Sequence, residues 1–282
     1  MTIRIAIDST CDLPLAVTAR LGIGVVPCCI NIGERSYLDG VDLARQEFYQ
    51  RLPTYNPTPK TAAPGVQVFL ETYQKLIADG ATEILSIHLA SSLSAVLNVA
   101  RIAAEEVTDA RVRVFDSRSL SLGAGFLAEA AVEAAARGAS LAEIETLLQE
   151  RVTRTHAMAL VDTLEYLHRG GRISRLELGL GALLQIKPVL QIYDGEILAE
   201  KTRTAKGARE RLRQLLGAMG AVERWAILHT HCPERADELR QLVQPLFADQ
   251  PPRYTVEVTP VLGAHFGPGM VGLAYVAAKS NR

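Results

Sequence analysis

Apolar residues recur along this chain in short runs separated by helix-compatible stretches. The clearest run is Ile84-Leu85-Ser86-Ile87-His88-Leu89, which predicts a buried strand. It breaks at Ala90-Ser91-Ser92-Leu93-Ser94 and continues as the helical pattern Ala95 to Arg101. Serines at such a switch predict N-caps, and the free amides of the first turn make the junction a candidate anion site.

The same alternation runs through the first half. Arg4 to Asp8 predicts a strand, 14–21 a helix with Pro14 in its first turn, and 24–32 a second strand with an edge or bent start at Pro27. Residues 35–39 predict a hairpin return and 43–52 a helix begun by Asp42. Pro53 to Pro64 holds four prolines and predicts a long connection without regular structure. A helix follows from Pro64-Gly65 through Ile77, then the 84–101 unit, a strand over 111–117 and a helix over 123–137. Ser140 with Glu143 three positions on is a capping box opening a helix over 141–153. Strand-helix alternation predicts a parallel sheet covered on both faces, an α/β domain over 1–154.

From about residue 155 the pattern changes. A strand over 156–162 is followed by 189–193 and 196–200, two short runs joined at Asp194-Gly195, which predicts a hairpin. A helix over 206–218, a strand over 225–229, a helix over 233–247 and strands over 254–258 and 270–276 complete the chain. The last two flank the loop-like 263–269, which carries His265. Hairpins mixed with helices predict a second, α+β domain over 155–282.

Composition removes several function classes. The 282 residues are 48% hydrophobic with a formal net charge of −1, so there is material for two cores and no basic footprint for nucleic acid. No apolar run reaches membrane-spanning length, because the alanine-rich 124–136 is interrupted by Glu129 and Glu133. The N-terminus enters a strand pattern directly, without the regions of a signal peptide. Cys11, Cys28, Cys29 and Cys232 show no CxxC spacing. The expectation is a cytoplasmic protein that is not an integral membrane protein.

No GxGxxG, GxxxxGK[ST], GxSxG or HExxH motif is present. Asp8 and Asp116 end their strands where open α/β sheets place sites, although helix capping explains both. His229 and His231 share a strand face but lack a third metal ligand, so a strand end entering a Pro-initiated helix is the preferred reading. His265 among glycines can face an anion or a surface turn, and Arg169 to Ser174 is a turn or a docking patch. Ser94 and His265 with one acid would compose a nucleophilic triad, and hydroxyl plus imidazole would equally hold a carboxylate without reacting.

Seven stretches in order resemble the DegV family. Ile7-Asp8-Ser9-Thr10-Cys11-Asp12-Leu13-Pro14 is similar to its opening DST-x-DLP, and Lys60 to Pro64 matches its TSQP at the threonine and proline. Ile87 to Val96 is similar to IHLSSGLSGT. Phe115-Asp116-Ser117, Gly170 to Ser174, Lys187-Pro188 and His265-x-Gly-x-Gly complete the order. Ala62-Ala63 replaces the Ser-Gln of TSQP, and Ala90, Ser92 and Ala95-Val96 depart from the serine-glycine loop. The resemblance implies a binding protein rather than an enzyme. A long-chain fatty acid such as palmitate, stearate or oleate would lie in a tunnel between the domains, with no cofactor. Its carboxylate would sit near Thr61, Ser94 and His265, with Ser91 and Ser92 as supporting caps. A separate fatty acid kinase catalytic subunit would phosphorylate it, with Arg172 and Arg203 near the mouth for docking or phosphate. The rival expectation is a serine-dependent acyl hydrolase or transferase using Ser94 and His265.

Overall fold

The computed structural model describes residues 2–172, 186–248 and 250–279. Its first half contains β1 (Ile3–Asp8), α1 (Leu15–Leu21), β2 (Gly24–Val26), β3 (Cys29–Ile32), β4 (Arg35–Leu38), α2 (Arg45–Arg51), β5 (Lys60–Ala62) and α3 (Val66–Ala78). β6 (Glu83–His88), α4 (Val96–Glu106), β7 (Arg111–Asp116), α5 (Leu122–Ala136) and α6 (Leu141–Val152) follow. The second half contains β8 (Thr155–Leu160), α7 (Glu165–Arg169), β9 (Val189–Tyr193), β10 (Glu196–Glu200), α8 (Ala205–Gly217) and β11 (Val222–His229). It ends with α9 (Pro233–Val243), β12 (Thr255–Glu257), α10 (Pro260–Phe266) and β13 (Val271–Ala277).

The described residues form three sheets. β2-β1-β6-β7 is wholly parallel, with α3 and α4 on one face and α5 on the other. β10-β9-β8-β13-β11-β12 is antiparallel except for the β11–β12 pair. A small antiparallel sheet, β4-β3-β5, lies beside them. The expected α/β first half and α+β second half are therefore present.

α5 explains how the halves meet. It packs against β1 and β6 of the parallel sheet and against β8 and β13 of the mixed sheet. Buried on nearly every side, it is built from alanine, glycine and leucine rather than from one apolar stripe. The mixed sheet answers with small residues: Ala157 and Ala159 face α5, while Met158 and Leu160 alternate toward the core under α8 and α9. One buried carboxylate crosses this seam. Glu129 of α5 is 1% exposed and accepts from the Arg253 guanidinium at 2.8 Å and the Tyr254 hydroxyl at 2.6 Å.

Several sequence expectations are corrected. Residues 24–32 are two strands in different sheets, because Pro27 has no N–H to continue a ladder. The proline-rich 53–64 contains β5, whose ladder to β3 pairs Ile30 with Thr61 and supplies the order that local propensity lacks. Asp42 does not open α2; its carboxylate accepts from the Leu38 amide at 2.9 Å instead. The helix expected over 233–247 ends at Val243, where Pro245 tightens the chain into a 3₁₀ turn. The apparent loop around His265 begins as α10, with Pro260 at its first position and Gly267 ending it. Ile173 and Ser174 of the Arg169–Ser174 stretch lie outside the described residues.

Candidate binding cavity

A cavity of about 230 Å³ lies at the junction of the two halves. Its apolar wall takes Leu89, Leu93 and Leu120 from the first half and Leu167, Ile197, Val261, Leu262 and Phe266 from the second. Its polar lining is Thr10, Cys28, Thr61, Ser94, Arg172 and His265. The Cys28 thiol is held well above its ordinary pKa by burial and then by Asp8, so it stays protonated.

Thr61 and His265 come from residues 204 apart and meet at 2.8 Å, Oγ1 to Nε2. β3 aligns β5, and α10 packs on both strands. Burial, then the positive charge of Arg172, pushes the His265 pKa down to about 4, so the imidazole is neutral at pH 7. Its Nδ1 is buried and has no hydrogen-bond partner among the described residues. The tautomer protonated on Nε2 donates to Thr61 Oγ1 and leaves the threonine hydroxyl hydrogen free for an acceptor in the cavity. Gly170, just after α7, lies close against the ring: a Cβ there would stand 2.2 Å from Nδ1. The Arg172 guanidinium donates to the Gly170 carbonyl at 2.6 Å.

Ser94 enters the cavity from the turn before α4. Its Oγ accepts from the Val96 amide at 3.3 Å, and Ala95 rather than a serine occupies the N-cap. Ser94, Ala95 and Val96 all line the cavity, so the positive end of the α4 dipole points at it. Thr61, Ser94, His265 and Arg172 thus share one wall system.

The other expected residues fall elsewhere. Ser91 and Ser92 do not cap α4: the Ser91 hydroxyl donates to Asp116, and the Ser92 hydroxyl donates to the Gly195 carbonyl. The polar partners across the turn outcompete the helix amides. Arg203 is exposed between β10 and α8 and is not part of the cavity lining. The triad geometry is not assembled, since the His265 Nε2 bond goes to Thr61 and no carboxylate hydrogen-bonds to the ring among the described residues. His231 pairs with Glu257 at 2.8 Å, and no metal-holding group of three or more ligands occurs among the described residues.

Beneath the cavity lies a buried chain that the sequence did not reveal. The Tyr73 hydroxyl donates to Ser86 Oγ at 2.8 Å, Ser86 meets His88 Nε2 at 2.7 Å, and His88 Nδ1 meets Asp8 at 3.0 Å. Asp8 also accepts from the Thr10 amide at 3.0 Å, capping the turn Ser9–Cys11, and from the Leu89 amide at 3.1 Å. It therefore fixes two cavity-wall residues from behind. Although burial opposes it, bonding to His88, Thr10 and Leu89 leaves the Asp8 pKa below its ordinary value. Asp116 organises its loop instead of a helix, accepting from Ser91 and from the Arg118 amide.

The model of the DegV family, described as an uncharacterised protein family, matches residues 2–278. A DegV domain-containing protein of Streptomyces coelicolor is 36% identical over 274 residues, covering 96% of this chain and 97% of that protein. One from Halalkalibacterium halodurans is 34% identical over 285 residues, covering 98% and 99%. Among solved structures, DegV of Bacillus subtilis, a fatty acid binding protein, superposes with a TM-score of 0.89 at 29% identity, covering 99% of this chain and 100% of that one. A DegV family protein of Thermus thermophilus, described for its fatty acid binding, gives 0.84 at 30% identity with the same coverage.

Proposed function

The chain belongs to the DegV family, and from that premise we propose that it binds a long-chain fatty acid between two domains, residues 1–154 and 155–282. The acyl chain lies along the leucine, isoleucine and phenylalanine wall, and the carboxylate meets the polar end. There the Thr61 hydroxyl donates to it, oriented by neutral His265, while Ser94 and the amide end of α4 supply further donors. The observation that carries this reading is an apolar cavity whose polar end holds a hydroxyl–imidazole pair beside the N-terminus of α4. Each methylene taken from water is worth ~0.8 kcal/mol, so ten buried methylenes contribute roughly 8 kcal/mol.

A binding protein of this kind keeps the tail dry and presents the head. A separate kinase catalytic subunit would phosphorylate the carboxylate to an acyl phosphate, with Arg172 at the cavity wall and Arg203 on the neighbouring connection facing the phosphate or the kinase. No helix among the described residues is long and apolar enough to cross a membrane, and we place the protein in the cytoplasm. Native mass spectrometry of the purified chain tests the reading. One long-chain acid per chain, retained from the host or taken up from added oleate, is expected. A chain that carries none and takes up none overturns it, and p-nitrophenyl ester turnover abolished by Ser94→Ala would replace it with a hydrolase.

A further inference from the structure

The two edges of the mixed sheet are fastened to the first half very differently. At the β12 edge the fastening is buried: the Tyr49 hydroxyl donates to the carbonyls of Val258 at 2.9 Å and Thr259 at 3.2 Å, and the Thr259 amide donates to Asp12 at 2.7 Å. Tyr49 and Asp12 are each 2% exposed, and the Arg45 guanidinium adds a bond to the Glu257 carbonyl. At the β10 edge the fastening is a hairpin tip. The Gly195 amide donates to the Arg118 carbonyl at 2.7 Å, the Ser92 hydroxyl donates to the Gly195 carbonyl, and Arg118 pairs with Asp194 at 2.8 Å. Here the charged side chains are 56% and 44% exposed, where an ion pair holds weakly.

Both sides of this tip belong to the cavity. Ile197, two residues beyond Gly195, lines it, as do Leu93 beside Ser92 and Leu120 just after Arg118. The tip itself is a stiff two-residue turn, with Asp194 at φ 48° and Gly195 at φ 82°, so the hairpin can part from its seat as a unit.

We propose that Ser92, Arg118, Asp194 and Gly195 form a latch, and that ligand enters and leaves by parting the β9–β10 hairpin from the 91–94 and 116–120 loops while the buried β12 edge stays hinged. This rests on the reading that the cavity takes a fatty acid, and it assigns the tip to the rate of exchange rather than to the head-group contacts.

A reversible lock tests it. A Cβ on Gly195 would stand 4.0 Å from the Ser92 Cβ, within disulfide reach, so Ser92→Cys/Gly195→Cys can close the latch covalently, and the strain of a cysteine at φ 82° is common to the oxidised and reduced forms being compared. With cis-parinarate bound and excess oleate as chase, the oxidised protein should release at least ten-fold more slowly than the same protein in dithiothreitol. Equal rates would overturn the latch. Arg118→Ala/Ser92→Ala, which needs no disulfide, should release roughly ten-fold faster than the unaltered chain, and an unchanged rate overturns the proposal. Native-state hydrogen exchange judges the latch without any ligand: the Gly195 amide should exchange far faster than that of Thr259, and equal protection sinks it. Failure of parinarate to bind in an equilibrium titration overturns the fatty acid reading instead, leaving the exchange measurement to decide whether the edge opens.

Discussion

Gly170→Ala separates the cavity head from every other part of the molecule. Gly170 has φ −77° and ψ −3°, an ordinary helical conformation, so alanine introduces no backbone strain. Its methyl, however, would stand 2.2 Å from His265 Nδ1 and 2.8 Å from Cε1, whereas ordinary contact begins near 3.4 Å. The buried ring must shift by roughly an ångström and tear or stretch its 2.8 Å bond to Thr61. Overpacking of this kind costs about 1–3 kcal/mol of stability, and losing the orienting hydrogen bond costs the ligand about 1.4 kcal/mol, a ten-fold rise in Kd. Titration of delipidated protein with oleate, alongside denaturant unfolding, reads both. In the His265→Ala background the same methyl enters vacated space, so the double variant should bind no worse than His265→Ala alone. Oleate affinity unchanged by Gly170→Ala, or a full Gly170→Ala penalty persisting without the imidazole, would refute the reasoning.

Two further outcomes follow from buried titrating groups. The His265 pKa is held at about 4 in the folded chain against an ordinary 6.5, so the unfolded chain takes up the proton first. Stability is complete above pH 6.5 and declines by about 3 kcal/mol as pH falls toward 4; His265→Gln should flatten urea-derived stability across that window, and an identical slope would exclude His265 as the source. Asp12 is opposite in sign: burial, only partly offset by Arg45, Ser121 and the Thr259 amide, raises its pKa to about 7. Its contribution is full below pH 3.8 and lost as pH rises through 7, so Asp12→Asn, which keeps an acceptor for the Thr259 amide, should gain stability relative to the unaltered chain between pH 5 and pH 8.

What the sequence made legible was local. Ser140 and Glu143 form the expected capping box, and Asp194-Gly195 forms the expected hairpin turn, because both motifs act within a few residues. The parallel sheet and the alanine-rich α5 followed from period and run length. Some misses were local, as with Asp42, which turns back to the Leu38 amide, and Pro245, which ends α9 early; the larger ones depend on distant partners. β5 is a strand only because β3 lies beside it, and Ser92 turns away from α4 only because Gly195 arrives from 103 residues along the chain. Thr61 was named by motif resemblance alone, and His265, which its glycine-rich surroundings had already singled out, was joined to it only through that resemblance; no periodicity or spacing pairs two residues 204 apart. Asp8 shows how the two kinds of information combine, since it caps a turn as a local reading suggests and also anchors His88 and Leu89.

The central claim is that a fatty acid carboxylate is held by Thr61, Ser94 and His265. Carbon-13 NMR of carboxyl-labelled oleate bound to the chain tests it most directly. The account predicts one resolved carboxyl resonance that does not titrate between pH 5 and 8, because its charged form is donated to, and that shifts in Thr61→Val and in Ser94→Ala. A bound carboxyl that titrates like free fatty acid, or one indifferent to both substitutions, would contradict it.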